Sequence, residues 1–377
     1  MYKRALLAVL VVAAGVAGAS PRVSDAVAVR QNVVFTVPPA AIAGVPGNLR
    51  IAWVERGDHV MLARLGDDFR LIDASIEEIG RGDDPRLAYD GERFYVAFAD
   101  TRKLLIVVRR TDDSRTVTFP APRTASFIPE AVPVPLPYSM TWSGGALHFL
   151  FGVKEIYDQP LSPSLEIGDP VKRLQFVYGE LTAQPATAMI GNVIAAAANT
   201  NNNLLDFGTT AGGTSPFTTL HALGSFFMPA IAASGRDFLA VTRSRCISEC
   251  GELRAQRFAL DGAPLGPPEG QLLASGLRYD FDRLTAAAWT GAAWLVVYGV
   301  RTSFDQPPAV DLWGILIAED GRAGEPFPIA ASAAAERAPS LLALGSGRML
   351  ITYLADSTLE ARLIETAPRP PRPIRTR

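Results

Sequence analysis

RLAYDGERFYVAFAD, residues 86 to 100, sets two apolar runs on either side of Asp90-Gly91. Asp-Gly tolerates the positive φ of a tight hairpin turn, so the stretch predicts strand, turn, strand. The unit returns as PAIAASGRDFLAVTR from Pro229, LTAAAWTGAAWLVVYGV from Leu284 and PSLLALGSGRMLITYLAD from Pro339. Each copy has a Gly between an Ala-rich half and a more strongly apolar half. In register, the spacing Pro-x5-Gly holds at Pro85/Gly91, Pro185/Gly191, Pro229/Gly235 and Pro339/Gly345, and Thr285/Gly291 keeps it without the Pro.

Two looser copies, PPAAIAGVPGNLRIAWVE from Pro38 and PYSMTWSGGALHFLFG from Pro137, complete a series that starts near 39, 85, 137, 185, 229, 285 and 339. The steps of 46, 52, 48, 44, 56 and 54 residues match a four-stranded propeller blade with variable loops. Asp261-Gly262, Asp320-Gly321 and Gly66-Asp67 read as hairpin turns between third and fourth strands. Ala-rich first strands suit a crowded axis, and FYVAF, WLVVY and MLITY supply the bulk that packs blade on blade. No helical period is sustained. The expectation is an all-β fold, a seven-bladed β-propeller of four-stranded antiparallel blades, with six and eight as the neighbouring counts.

The last unit supplies only SLLAL, MLITY and LEARLIE before APRPPRPIRTR. A missing outer strand leaves an open edge, so an N-terminal strand is expected to close the ring. NVVFTV, residues 32 to 37, is the segment assigned, paired with the strand around Leu359 to Ile364. The propeller is then expected over 28 to 365, with a disordered Pro- and Arg-rich tail over 366 to 377.

These units resemble the secreted bacterial repeat propellers whose blades read P-x-x-A-x-x-G-x-x-Y/F-L-V-V-W/Y followed by D-G-x-x-x-G. WLVVY at 294 to 298 and DGAPLG at 261 to 266 match closely, and the resemblance runs over about residues 32 to 365. It implies the propeller fold and export, in a group that holds binding modules, surface proteins and some enzymes. No sialidase-type S-x-D-x-G-x-x-W box is present in the sequence.

The 377 residues are 48% apolar and 20% charged, with 32 Gly and 29 Pro, which fits a large core and many turns. The first 19 residues combine Lys3-Arg4, an apolar run from Ala5 to about Val16 and Ala17-Gly18-Ala19 before Ser20, the pattern of a secretory signal peptide. The apolar run is too short to serve as a spanning anchor, so no membrane insertion is expected after cleavage. A secreted or periplasmic monomer is expected. Formal charge is −2, and loss of Lys3 and Arg4 makes it −4, so nucleic acid is not an expected partner. Cys246 and Cys250, the only cysteines, are expected to form one small-loop disulfide; a redox pair and half a metal site are the alternatives.

In a propeller the loops between second and third strands emerge on the same face as the segments joining blade to blade. That face collects the long polar segments and the binding candidates Asp83, Asp84, Arg102, Asn201, Asp280, Asp282, Glu336 and Arg337. Asp84 and Asp282 precede inner strands and could serve as the carboxylate pair of a glycoside hydrolase or lyase; turn capping is the plainer role. Asp280 and Asp282 offer oxygen to a calcium ion, but two carboxylates make an incomplete site, and no other cofactor or metal is expected. NTNNN at 199 to 203 offers amides to sugar hydroxyls. Arg56-Gly57-Asp58 and Arg81-Gly82-Asp83 are adhesion-type triplets that also read as ordinary turns. His148 reads as a core or edge histidine. Without G-x-S-x-G, H-E-x-x-H or a phosphate loop, a non-catalytic module recognising a glycan or protein ligand is the expected function.

Overall fold

A computed structural model describes residues 20–34, 40–100, 102–120, 138–151, 155–175, 186–199, 205–212, 218–220, 229–243, 251–267, 269–277, 285–301 and 309–366. Seven antiparallel sheets, six of them each built from one consecutive stretch of chain and the seventh from both ends of it, form a seven-bladed propeller. Blade 1 comprises Ala40–Val45, Asn48–Glu55, His59–Leu65 and Glu77–Arg81. Blade 2 comprises Asp83–Tyr89, Phe94–Asp100, Leu105–Arg110 and Thr116–Pro120, and blade 3 Tyr138–Ser143, Ala146–Phe151, Glu155–Leu161 and Val171–Gln175. Blade 4 comprises Ala186–Ile190, Val193–Asn199, Leu205–Thr209 and Thr218–Leu220, and blade 5 Ala230–Ala233, Phe238–Arg243, Gly251–Phe258 and Gln271–Leu277. Blade 6 comprises Thr285–Trp289, Ala293–Arg301, Val310–Ala318 and Phe327–Ala330. Blade 7 runs Glu336–Gly345, Arg348–Ala355 and Thr358–Glu365. First strands of successive blades pack side by side around the ring, blade 7 against blade 1 included.

The turns follow their residues. In the blade 2 hairpin Gly91 takes φ 104°, and Asp90 Oδ1 accepts from the N–H groups of Glu92 at 2.7 Å and Arg93 at 2.6 Å. Burial pushes the Asp90 carboxyl up, but these donors and the Tyr95 hydroxyl outweigh it and hold it below the usual range. The Asp261-Gly262 and Asp320-Gly321 turns repeat the pattern, with Gly262 at φ 87° and Gly321 at φ 91°. In each the Asp Oδ1 accepts from the N–H two residues on, at 3.0 Å and 3.1 Å.

The core lies between blades. Second strands are buried along most of their length, and their alternating side chains face the blades on either side. Trp53 packs with Leu350, Leu354 and Leu359 at the seam of blades 1 and 7. Trp294 packs with Leu239, Val241 and Leu253 at the seam of blades 5 and 6. Phe149 and Tyr138 pack with Tyr95 and Ala97 between blades 2 and 3. Burying side chains of this size contributes about 2–3 kcal/mol each, so the stability of the ring resides mainly in its seams. Among the described residues the only helical elements are two 3-10 turns, Asp73–Ser75 and Thr210–Gly212, and no helix is long and apolar enough to cross a membrane.

Ring closure uses an N-terminal strand, but an earlier one than the sequence suggested. Arg22–Val23 and Val27–Arg30 pair antiparallel with Thr358–Glu365 as the outer strand of blade 7. The apolar 32–34 stretch of the expected strand instead crosses to blade 1: Val33 bridges Glu55, and its N–H donates to Ser357 O at 3.0 Å. Asn32 at φ 59° makes the bend between the two. The reason is burial: VAVR places Val29 inward, while Val33 is placed to fill the seam beyond it, so both valines enter one core cluster. Residues 35–37 of the expected strand, residues 1–19 and the tail from 367 lie outside the described residues. At the start of that tail Thr366 is still tied, its N–H donating to Gly347 O at 2.8 Å.

Candidate functional site

The two faces of the ring separate as strand alternation requires. One face carries the first-second and third-fourth turns, linked blade to blade by Arg110 to Pro163 O at 3.0 Å and Arg236 to Glu319 at 2.7 Å. The other carries the second-third turns and the blade junctions. There the Gly82 N–H donates to Asp58 O at 2.8 Å, joining both Arg-Gly-Asp triplets in one corner. Arg56, Gly57 and Asp58 form the exposed tip of a hairpin, with Gly57 at φ 90° and Asp58 at φ 64°. Arg102, on the neighbouring turn of blade 2, reaches Asp58 Oδ2 at 3.3 Å. Beside them Glu55 accepts from Arg30 at 2.8 Å and from the Trp53 indole at 3.0 Å.

Asp83 and Asp84 occupy the junction into blade 2. Asp83 Oδ1 accepts the Asp84 N–H at 2.8 Å, and Asp84, in the left-handed region at φ 54°, pairs with Arg86 at 2.7 Å. The Tyr138 hydroxyl donates to Asp84 O at 2.9 Å, and the Arg86 guanidinium lies 5.6 Å from the Tyr138 ring centre. Burial first, then the Asp84 charge, pushes the Tyr138 hydroxyl well above its ordinary range. Asp84 therefore does more than cap a turn. Its carboxylate is largely buried and neutralised by Arg86, an arrangement that positions a seam.

Glu336 and Arg337 open the inner strand of blade 7. Glu336 is 1% exposed, and its Oε1 accepts from the Ser332 N–H at 3.0 Å and hydroxyl at 2.6 Å. Arg337 is half-buried beside it. Next to this junction Asp356, in the second-third turn of blade 7, accepts the Ala335 N–H at 3.1 Å. The structure thus puts Asp83, Asp84, Arg102, Glu336 and Arg337 on one face, in two groups. Asn201, Asp280, Asp282, Cys246 and Cys250 lie outside the described residues, so the Asp84/Asp282 pair, the calcium pair and the disulfide acquire no geometry. Among the described residues no group of three or more metal-binding side chains is assembled.

Sequence reasoning passed over two carboxylates. Asp158 is 1% exposed in the third strand of blade 3, where His148 Nδ1 lies 2.9 Å from Oδ1 and Arg173 lies 3.1 Å from Oδ2. His148 therefore sits against the core, as its sequence suggested, but on a buried carboxyl group. The signal was the alternation in EIYDQPL, which puts Asp158 on the side of the buried Ile156. Asp311 lies between buried Val310 and Leu312, beside Glu336. Burial, then the Glu336 charge, pushes its carboxyl up to about 6.

No protein-family model matches the chain, and no curated protein matches it. Among solved structures it is similar to the WD40 domain of Toxoplasma gondii coronin, with TM-score 0.54 and 10% identity over 93% of this chain and 87% of that one. It is also similar to BBS1N, solved in complex with ARL6DN, with TM-score 0.55 and 12% identity over 93% of this chain and 97% of that one. A third, the β-propeller domain of the Trilobed protease from Pyrococcus furiosus, aligns with TM-score 0.48 and 10% identity over 91% of this chain and all of that one. The likeness is one of fold.

Proposed function

We propose that the chain is an exported, monomeric, non-catalytic propeller that binds or scaffolds a glycan or protein ligand on the face carrying its second-third turns and blade junctions. The observation that supports this most is the corner of blades 1 and 2. Arg56, Asp58 and Arg102 are exposed there on hairpins fixed to two blades, and charged side chains on a rigid frame lose little entropy when a ligand docks. A propeller of the same fold, BBS1N, was solved with a protein bound, which is compatible with a protein ligand here. The Lys3-Arg4, apolar and Ala17-Gly18-Ala19 series supports export. N-terminal sequencing of exported protein should read from Ser20; retention of Lys3-Arg4 would reject export.

The binding reading is tested by screening the purified chain against polysaccharides and surface-protein extracts, beside the variants Asp58→Asn, which keeps a residue suited to the left-handed backbone, and Arg102→Glu. Both residues are more than half exposed, so folding should be unchanged while affinity for any ligand found drops about tenfold. Equal binding by both variants would remove that corner from the site. Release of sugar fragments or cleaved protein during the screen would establish an enzyme in its place.

A further inference from the structure

The junction of blades 6 and 7 brings two carboxylates together. Val310 and Ala335 form a parallel bridge, so Asp311 and Glu336, the next residue on each chain, leave adjoining backbones at one level. Glu336 Oε1 is fully engaged by Ser332, whereas Oε2 is buried with no hydrogen-bond partner among the described residues. Neither carboxylate forms an ion pair with a described residue. Among the described residues, the charged groups beside the pair are Arg337 on the junction itself, Asp356 on the adjacent turn of blade 7 and Arg301 opposite Val310 at the end of the second strand of blade 6. From blade 5, Arg243 spends Nη1 on Gly299 O at 2.9 Å.

A buried carboxylate oxygen with no donor costs free energy, and two adjacent carboxylates cannot both ionise cheaply; one proton held between them relieves both penalties. We infer that Asp311 and Glu336 share one proton, carried by the Asp311 carboxyl and donated to Glu336 Oε2, and that this proton is part of the bond between blades 6 and 7. Burial and the Glu336 charge already place Asp311 at about 6. As pH rises through that value the proton leaves, the two carboxylates repel across the seam, and one more negative charge appears on the face that carries the blade junctions. Acid therefore tightens the seam and makes that face less negative. The consequence for a ligand rests on the binding reading above; the proton itself does not.

The test is the melting temperature of the full chain between about pH 4.5 and about pH 8, with infrared spectra of the carboxyl C=O stretch, for wild type, Asp311→Asn and Glu336→Gln. Wild type should lose about 1–2 °C as pH crosses about 6 and lose a protonated-carboxyl band over the same range. Asp311→Asn should show neither change, because the amide N–H replaces the acid donor toward Glu336 at every pH. If Glu336→Gln does not fold, Asp311→Asn still decides the matter. An identical pH slope and band in Asp311→Asn would overturn the shared proton. So would absence of the band at about pH 5 together with a large stabilisation by millimolar calcium chloride in wild type alone, which would assign the pair to a cation. These readouts need no ligand, so they stand or fall apart from the binding screen.

Discussion

In blade 2 the residue before Pro85 is Asp84, with φ 54°; in blade 7 the residue before Pro339 is Ala338, with φ 51°. Both inner strands begin with a left-handed residue, a proline and a register shift against the second strand. The backbones agree and the chemistry does not. Blade 2 supplies Arg86 to neutralise its carboxylate, whereas blade 7 has Ser340 at the matching position and sets its carboxylate against a second acid. A propeller repeat conserves the path of the chain because each blade must meet the next at a fixed angle. The side chains along that path are free to differ, and the charges on this face differ from junction to junction.

The difference is tested most severely by removing residues 20–30, which leaves blade 2 whole and strips the outer strand from blade 7. Losing the Val29 contact and the ladder to Thr358–Glu365 should cost about 5 kcal/mol and on the order of 10 °C in melting temperature. An unchanged calorimetric melt would show that the ring closes some other way.

Next in size is Arg86→Ala. It removes the Arg86 guanidinium from a largely buried carboxylate and should cost about 3 kcal/mol in urea unfolding, while Ser340→Ala in blade 7 should cost less than about 1 kcal/mol. Equal costs would mean that Asp84 is well solvated after all.

The third test is pH. The folded value of Asp311, about 6, lies above its ordinary 3.8, so the folded chain holds this proton more tightly. The stabilisation is complete below about pH 4 and is lost as pH rises through about 6. That difference corresponds to about 3 kcal/mol without screening, and the half-exposure of Asp311 reduces it to about 1 kcal/mol. Subtracting the Asp311→Asn stability curve from that of wild type isolates it.

The smallest expected effect is at Ala338. A glycine there relieves a left-handed strain of about 1–2 kcal/mol but gives up a buried methyl and adds unfolded-state entropy, so Ala338→Gly should change stability by less than about 0.5 kcal/mol. Asp84→Gly, which also removes the partner of Arg86, should cost about 2 kcal/mol. A large effect of Ala338→Gly would mean that the matching left-handed residues are not equivalent.

The sequence by itself determined the blade. Asp90-Gly91, Asp261-Gly262 and Asp320-Gly321 are turns because Gly takes positive φ and Asp caps the next N–H groups, both local effects. The period of the repeat gave the number of blades, and the bulk of WLVVY and MLITY gave the seams. Tertiary structure alone decided the rest. VAVR rather than NVVFTV closes the ring, because the choice depends on which valines fit a seam built by Trp53, Leu350 and Leu359, residues far away in sequence. Asp84 read as a turn cap or half of a carboxylate pair and is in an ion pair, because Arg86 and Tyr138 fold onto it. Asp311 could not be paired with Glu336 from the sequence, because Glu336 comes from the next blade. Turns and strand alternation are fixed by a few adjacent residues, whereas the charge state of a carboxylate depends on burial and on groups brought to it through space. A linear pattern records the first and carries no trace of the second.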